Sequence, residues 1–325
     1  MAKTPALQAK EKLCHARGSG HLDSGRHQTL RDWIPVFTGM TQGDRLIKPV
    51  GLWIIILVGT FLFKSPPVHA APKAELWPSW QKHDSSNKEK IDHSIWDRFL
   101  KQYVVSPHPS GINRVRYQAV GHEDRKSLKA YLQKLQDVPI SKYNRAEQQA
   151  FWINLYNALT VELILSRFPL ASIREINISP GLFVKGPWGA KLVTIEGEKL
   201  SLDDIEHRIL RPIWQDSRVH YAVNCASLGC PNLQPTAFTG DNAESLLEKA
   251  AKEFINHPRG VAIRNGKLKV SSIYVWFQED FDGAEGLMNH WREYAEGPLA
   301  NALQSYAGGL EHDYDWRLNG LEQKQ

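Results

Sequence analysis

The chain has 325 residues, 42% of them hydrophobic, with 40 Lys and Arg against 35 Asp and Glu for a formal net charge of +5. The excess is local: residues 1–70 hold nine basic and four acidic side chains, leaving 31 of each sign downstream. A neutral body gives no electrostatic footprint for nucleic acid or an anionic membrane, and its 255 residues suit one domain with a real core.

In chain order, residues 1–39 carry scattered Gly and charges and no apolar period. They read as an extension, with the stretch 33–40 similar to translated intergenic repeats of bacterial genomes and Met40 as the expected start. Residues 40–70 then follow the pattern of a secretory signal. Arg45 and Lys48 form a basic start, 14 largely apolar residues run over 50–63, and Val68-His69-Ala70 supplies small residues at a cleavage site. The run is shorter than the ~20 residues of a spanning helix, and Pro66-Pro67 follow it. The expectation is cleavage after Ala70, an exported (periplasmic or secreted) protein, and no stable membrane span after processing. An uncleaved anchor is the rival.

Residues 71–90, polar and Pro-containing, read as a linker or loosely docked arm before a domain over 91–325. Helical spacing marks 91–104 and 124–135, with a short strand over 115–120 between them. The next helix, 144–168, has Asn144 as its cap, Glu147 in capping-box position and Pro169 as its stop. Apolar residues fall at almost every angle of its wheel, so it is expected to be surrounded. Within it Asn154 and Asn157 share a face. Either they tie the helix to neighbouring loops, or Asn157 or Tyr156 faces a reactive site.

The glycine-rich loop 181–189 presents Trp188 and reads as a lid or rim. A hairpin is expected over 191–200 across Glu196-Gly197, then a helix capped by Ser201 that carries Glu206 and His207. Residues 219–223 are β-branched and aromatic and predict a buried strand, which runs into a loop marked by Asn224, Ser227, Gly229 and Pro231. That loop holds Cys225 and Cys230; the remaining cysteine is Cys14. A helix over 242–255, a hairpin across Asn265-Gly266, an aromatic and acidic stretch 274–281, and helices over 285–294 and 298–306 follow. Helices and hairpins are interspersed without strand–helix alternation. The expected fold is therefore α+β, a single domain with a long buried central helix packed on a small, mainly antiparallel sheet.

The phrases F-W-I-N-L-Y-N, S-L-D-D-I-E-H-R-I-L-R, H-Y-A-V-N-C-A-S-L-G-C-P and Y-D-W-R-L-N resemble the signature blocks of domain-of-unknown-function family 547. The similarity runs from about 149 to 255, with weaker echoes over 272–319. It implies that Asn154, Asn157, Glu206, His207, His220, Cys225, Cys230 and Pro231 are signature positions. It also implies exported bacterial relatives and intracellular plant ones with an added coiled coil. It implies no reaction.

Three chemistries fit these residues. In the first, Cys225 is the nucleophile of a thiol-dependent hydrolase or acyl transferase acting on an unknown small-molecule or peptide-like substrate. His207 is then its expected base, because five positions along a strand would put His220 on the opposite face. Glu206 stands beside His207, and Asn157 or Asn224 could orient an imidazole or donate to an oxyanion. In the second, a non-catalytic periplasmic binding domain carries a structural Cys225–Cys230 disulfide, with Asn154, Tyr156, Asn224 and Trp188 near a ligand. An aromatic-rimmed cleft without an acidic thiol would favour it. The third is metal binding by Cys225, Cys230, His207, His220 and Glu206. A lone C-x4-C lacks the spacing of a zinc site, and no cofactor is expected.

Overall fold

The computed structural model describes residues 72–181 and 184–321. The expected extension (1–39) and secretory signal (40–70) and part of the glycine-rich loop lie outside the described residues. Among the described residues no helix is long and apolar enough to cross a membrane.

The first half of the domain is helical. Helix α1 (Ser94–Tyr103) packs on α2 (His122–Gln136), which packs on α3 (Arg145–Arg167). Between α1 and α2 a two-residue antiparallel ribbon pairs β1 (Val104–Val105) with β2 (Arg114–Val115). The strand expected over 115–120 stops there, because the chain turns into a 3-10 turn at Tyr117–Ala119 to bury Tyr117. Asn144 caps α3 through Oδ1, which accepts from the backbone N–H groups of Ala146 and Glu147 at 3.1 Å each. Glu147 does not close the capping box. Its carboxylate accepts instead from the Ile91 N–H at 3.1 Å and pins the entry to α1.

Helix α3 is buried over nearly its whole length, as its all-round apolar wheel requires. Its walls are α2, α6 (Ala243–Ile255) and a helix over 202–214. Among the described residues the strands form no broad sheet under it, because each is two to five residues long and they divide among separate small sheets. Antiparallel β3 (Val193–Ile195) and β4 (Glu198–Leu200) make one hairpin, with Glu196 and Gly197 both at positive φ (46° and 87°). The third sheet pairs β5 (Val261–Arg264) antiparallel to β6 (Lys267–Ser271) across Asn265-Gly266, and β6 parallel to β7 (Leu310–Asp313). The architecture is α+β, as expected.

Two further corrections matter for the site. Residues 219–223 are not a strand: Val219–Ala222 form one turn of helix, α5, packed on α6, and only Val223 is extended. All of α5 is buried. A short run buried on every side has no period by which strand and helix can be told apart. The arm 72–90 is docked rather than loose: Trp80 is buried edge-on to Trp152, and the N–H groups of Glu75 and Trp77 bond to the carbonyls of His207 and Arg208 at 2.9 and 3.0 Å. The C-terminal part adds α7 (Ser272–Trp276), α8 (Gly283–Tyr294) and α9 (Gly297–Gln304) around a second apolar cluster, with α6, β5 and β6.

Candidate functional site

The cysteine loop is held in shape by asparagines. Asn157 donates from Nδ2 to the Ala222 carbonyl at 2.9 Å and accepts from the Asn224 N–H at 2.8 Å, so one side chain of α3 clamps the exit of α5. Asn224 closes the loop on itself, donating to the Pro231 carbonyl at 2.7 Å and accepting from the Ala226 N–H at 2.8 Å. The tail lies along the far side: Leu228 and Gly229 donate to the carbonyls of Arg317 and Asp315, and Asn319 donates to that of Ala226. A Cβ on Gly229 would stand 2.8 Å from the Asp315 nitrogen, which only glycine avoids. Ala226, directly after Cys225, sits at φ 59°, a left-handed conformation that L residues seldom hold without support.

Inside this frame the two sulfurs stand 2.7 Å apart as free thiols, Cys225 half-buried and Cys230 buried. Cys230 Sγ also receives the Cys225 N–H at 3.0 Å and the Tyr314 hydroxyl at 3.1 Å. Cys225 Sγ lies 3.2 Å from Ser227 Oγ and 3.1 Å from the Tyr314 hydroxyl. Burial pushes both thiols up. At Cys230 the converging donors outweigh it and bring the thiol down to about 6. At Cys225, burial and the contact with Cys230 hold the proton on and push it well up. The backbone N–H breaks the symmetry: it can donate to Cys230 but not to the sulfur of its own residue. Around this centre Tyr314, Trp276, Trp316 and Trp188 form a half-buried aromatic rim, Tyr314 packing at 4.6 Å from Trp316 and 4.9 Å from Trp276.

A second network lies on the other side of Tyr156. Ser201 and Asp204 make a full capping box: Ser201 Oγ accepts from the Asp204 N–H at 3.1 Å, and Asp204 accepts from the Ser201 N–H at 2.8 Å. The helix they open has π geometry over Asp204–Leu210 before α4 (Arg211–Trp214). Such bulges recur at functional sites. Glu206, His207 and Arg211 are all buried there. Arg211 grips both oxygens of Asp280, at 2.5 Å from Nε and 3.1 Å from Nη2. Its Nη1 donates to the Pro72 carbonyl at 2.7 Å and to His207 Nδ1 at 3.0 Å. His220 Nε2 donates to Asp280 at 2.7 Å, its ring stacked 4.2 Å from Phe277 and its Nδ1 3.7 Å from Glu206. Burial raises Glu206 to about 7 and, with the Arg211 charge, lowers His207 to about 3. It lowers His220 too, while at Asp280 the His220 and Arg211 donors outweigh burial and hold the carboxyl at about 2.

Residues 140–255 match the model of a family described as "Protein of unknown function, DUF547". No curated protein and no solved structure matches the chain. The DUF547 segment takes in α3, the π helix, α5, both cysteines and α6. It stops short of Asp280 and Tyr314, which complete the two networks from the C-terminal part of the chain.

Several sequence expectations are redistributed by this geometry. Cys225 meets Cys230, Ser227 and Tyr314, whereas His207 is bonded to Arg211 and His220 to Asp280. Because α5 is helical, His220 and Cys225 are not set on opposite faces of a strand. The lowered thiol is Cys230, not Cys225. Tyr156 bonds to Glu206 and feels the charge of both sulfurs, which puts it between the networks. Asn154 is structural: it exchanges two bonds, of 2.7 and 3.0 Å, with the backbone of Phe238. Trp188 belongs to the rim, and Asn224 to the loop backbone. The five residues weighed as metal ligands divide between the two networks, and no metal-binding group of three is gathered among the described residues. Sequence reasoning misses Asp280, Tyr314, Ser227 and Arg211 as site residues; the aromatic-acidic stretch 274–281 and the Y-D-W tail are the signals that could have found them.

Glu206 makes a direct test of the second network. Its carboxyl is raised from an ordinary 4.5 to about 7, so its neutral form stabilises the fold below pH 4.5 and that contribution is lost as pH rises through 7. Glu206→Gln keeps the neutral shape. Its stability relative to wild type should therefore improve by a few kcal/mol from pH 4.5 to 8, because each tenfold change in acidity is worth ~1.4 kcal/mol. Urea unfolding at the two pH values measures it, and a pH-independent difference would mean that burial leaves Glu206 at its ordinary value.

Proposed function

We propose that the Cys225–Cys230 pair is the working centre of an exported thiol-dependent hydrolase or acyl transferase. The observation that carries this reading is the 2.7 Å sulfur contact, with the half-exposed thiol facing a buried sulfur that collects three donors. The pair shares protons, so its first ionisation belongs to both sulfurs. When the pair loses a proton, the donors that converge on Cys230 favour the negative charge there. When an acyl carbon reaches Cys225, its Sγ forms the new bond, its proton passes to Cys230, and the leaving group departs with that proton. Water or another acceptor then takes the acyl group and returns a proton to Cys225. The strained backbone at Ala226 and the aromatic rim support a site that presents Cys225 to a small or peptide-like substrate.

Alkylation rate against pH on reduced protein, with the labelled residue located by mass spectrometry, tests it. Cys225 should label with a midpoint near the ionisation of the pair, and Cys230→Ser should move that midpoint to ~8.5 or above. A folded wild type that never labels, or a midpoint indifferent to Cys230→Ser, removes the reading. The same contact favours a second reading, a binding domain closed by a Cys225–Cys230 disulfide. Protein isolated without reductant would then be two hydrogens lighter and would resist alkylation.

Export rests on residues 40–70. The mature chain should begin at Ala71, read as the intact mass of protein recovered outside the cytoplasm. Recovery of residues 50–63 in the membrane fraction ends that part of the reading.

A further inference from the structure

The two sulfurs differ in access and in what faces them. Cys225 is half-buried beside the aromatic rim, whereas Cys230 is 4% exposed. Cys230 Sγ receives the Cys225 N–H at 3.0 Å and the Tyr314 hydroxyl at 3.1 Å. Ser227 Oγ donates to the Tyr314 oxygen at 2.9 Å, which leaves the Tyr314 proton free to point at a sulfur. Cys225 Sγ meets only hydroxyls, Ser227 at 3.2 Å and Tyr314 at 3.1 Å. Four residues separate the cysteines, and the loop, turned at Ala226 (φ 59°), already holds the free thiols 2.7 Å apart. A disulfide needs ~2.05 Å between sulfurs, so the bond can close and open without a new path for the loop.

We infer that the pair is a dithiol–disulfide exchange centre which, in its oxidised form, passes its disulfide to the thiols of a polypeptide. This goes beyond acyl transfer and needs only the two sulfurs. A substrate thiolate attacks the half-exposed Cys225 Sγ and the Cys225–Cys230 bond breaks. Cys230 leaves as a thiolate onto the N–H and hydroxyl that already face it. A second substrate thiolate attacks the substrate sulfur of the mixed disulfide, and Cys225 leaves and takes a proton from water. In sum, two substrate thiols lose two hydrogens to form one disulfide, and the pair gains them. A low-molecular-weight disulfide restores the Cys225–Cys230 bond and departs as two thiols. The donors set this direction: a thiolate accepts their bonds strongly and a disulfide sulfur weakly, so they stabilise the reduced pair and make its disulfide an oxidant. The rim of Trp276, Tyr314 and Trp316 offers flat apolar surface to an unfolded chain, whose cysteines are accessible.

Equilibration with glutathione, followed by acid quench, alkylation and intact mass, tests it. In about 10 mM reduced and about 1 mM oxidised glutathione, wild type should be mainly dithiol, where a structural disulfide stays closed. Tyr314→Phe should shift that equilibrium about tenfold toward the disulfide, as the loss of one hydrogen bond to a thiolate allows. If Tyr314→Phe does not fold, wild type and the cysteine variants still decide. Wild type oxidised with excess oxidised glutathione and then freed of it should oxidise an equal amount of a reduced two-cysteine peptide. Cys230→Ser should hold glutathione on Cys225, and Cys225→Ser should stay unmodified. The inference is overturned by wild type that remains closed in the mixed buffer, by an adduct on Cys230, or by an equilibrium unmoved in folded Tyr314→Phe. A Cys225 that alkylates while no disulfide ever forms overturns it alone and leaves acyl transfer standing. An exchanging pair whose alkylation midpoint lies near ~8.5 removes acyl transfer and leaves the exchange.

Discussion

Arg211→Met should cost about 3–5 kcal/mol of folding stability, the largest loss expected from one substitution in the second network. The Arg211 side chain is 5% exposed, and it serves four acceptor atoms at once: both oxygens of Asp280, the Pro72 carbonyl and His207 Nδ1. Met fills the volume but donates nothing. Asp280 is then a partly buried carboxylate held by His220 alone, and the arm loses its tie at Pro72. A buried pair broken on one side costs more than the pair was worth, because the remaining charge has lost its compensation. Acid should narrow the gap. Asp280 is held at about 2 partly by Arg211, so that share of wild-type stability is present above pH 3.8 and fades as pH falls through 2. Urea unfolding at pH 7 and pH 3 checks both statements. A loss below ~1 kcal/mol at pH 7 would place this pair with surface ion pairs.

Asn157→Leu should destabilise by about 2–4 kcal/mol, since it strands the Ala222 carbonyl and the Asn224 N–H at ~1–3 kcal/mol for each unsatisfied group. Asn154→Leu strands the two backbone groups of Phe238 in the same way and should cost about as much. The two differ in what they release. Asn157 holds the exit of α5 and so the placement of Cys225; Asn154 holds residues beyond the loop. Only Asn157→Leu should move the alkylation midpoint of the thiols. Equal midpoints in both variants would show that the loop keeps its shape without the clamp.

Much of this is legible in the sequence, for identifiable reasons. Helix α3 is readable because a cap, a stop and an all-round apolar wheel agree over 23 residues. The hairpin at Asn265-Gly266 is readable because that dipeptide accepts positive φ at both central positions. The pairing of α3 asparagines with loop backbone follows from the cost of burying an amide alone. The turn α5 is misread because four buried residues carry no period, and local preference for β-branched and aromatic residues then points the wrong way.

The partner expected for Cys225 differs from the bonding found, and for a different reason. Sequence neighbours Glu206 and His207 match Cys225 on chemistry, because a thiol nucleophile commonly needs such a base. In the fold, His207 is bonded to an arginine four residues on and His220 to an aspartate 60 residues away. Composition, caps, turn dipeptides and buried amides are local, and they determined the element order, the buried helix and the loop that bears the cysteines. Which sulfur is acidic, which histidine meets which carboxylate and where the arm docks were decided by tertiary structure alone. Those properties depend on desolvation and on donors such as Tyr314, 84 residues beyond Cys230, and no local pattern records which distant donors the folded chain will bring within hydrogen-bond reach.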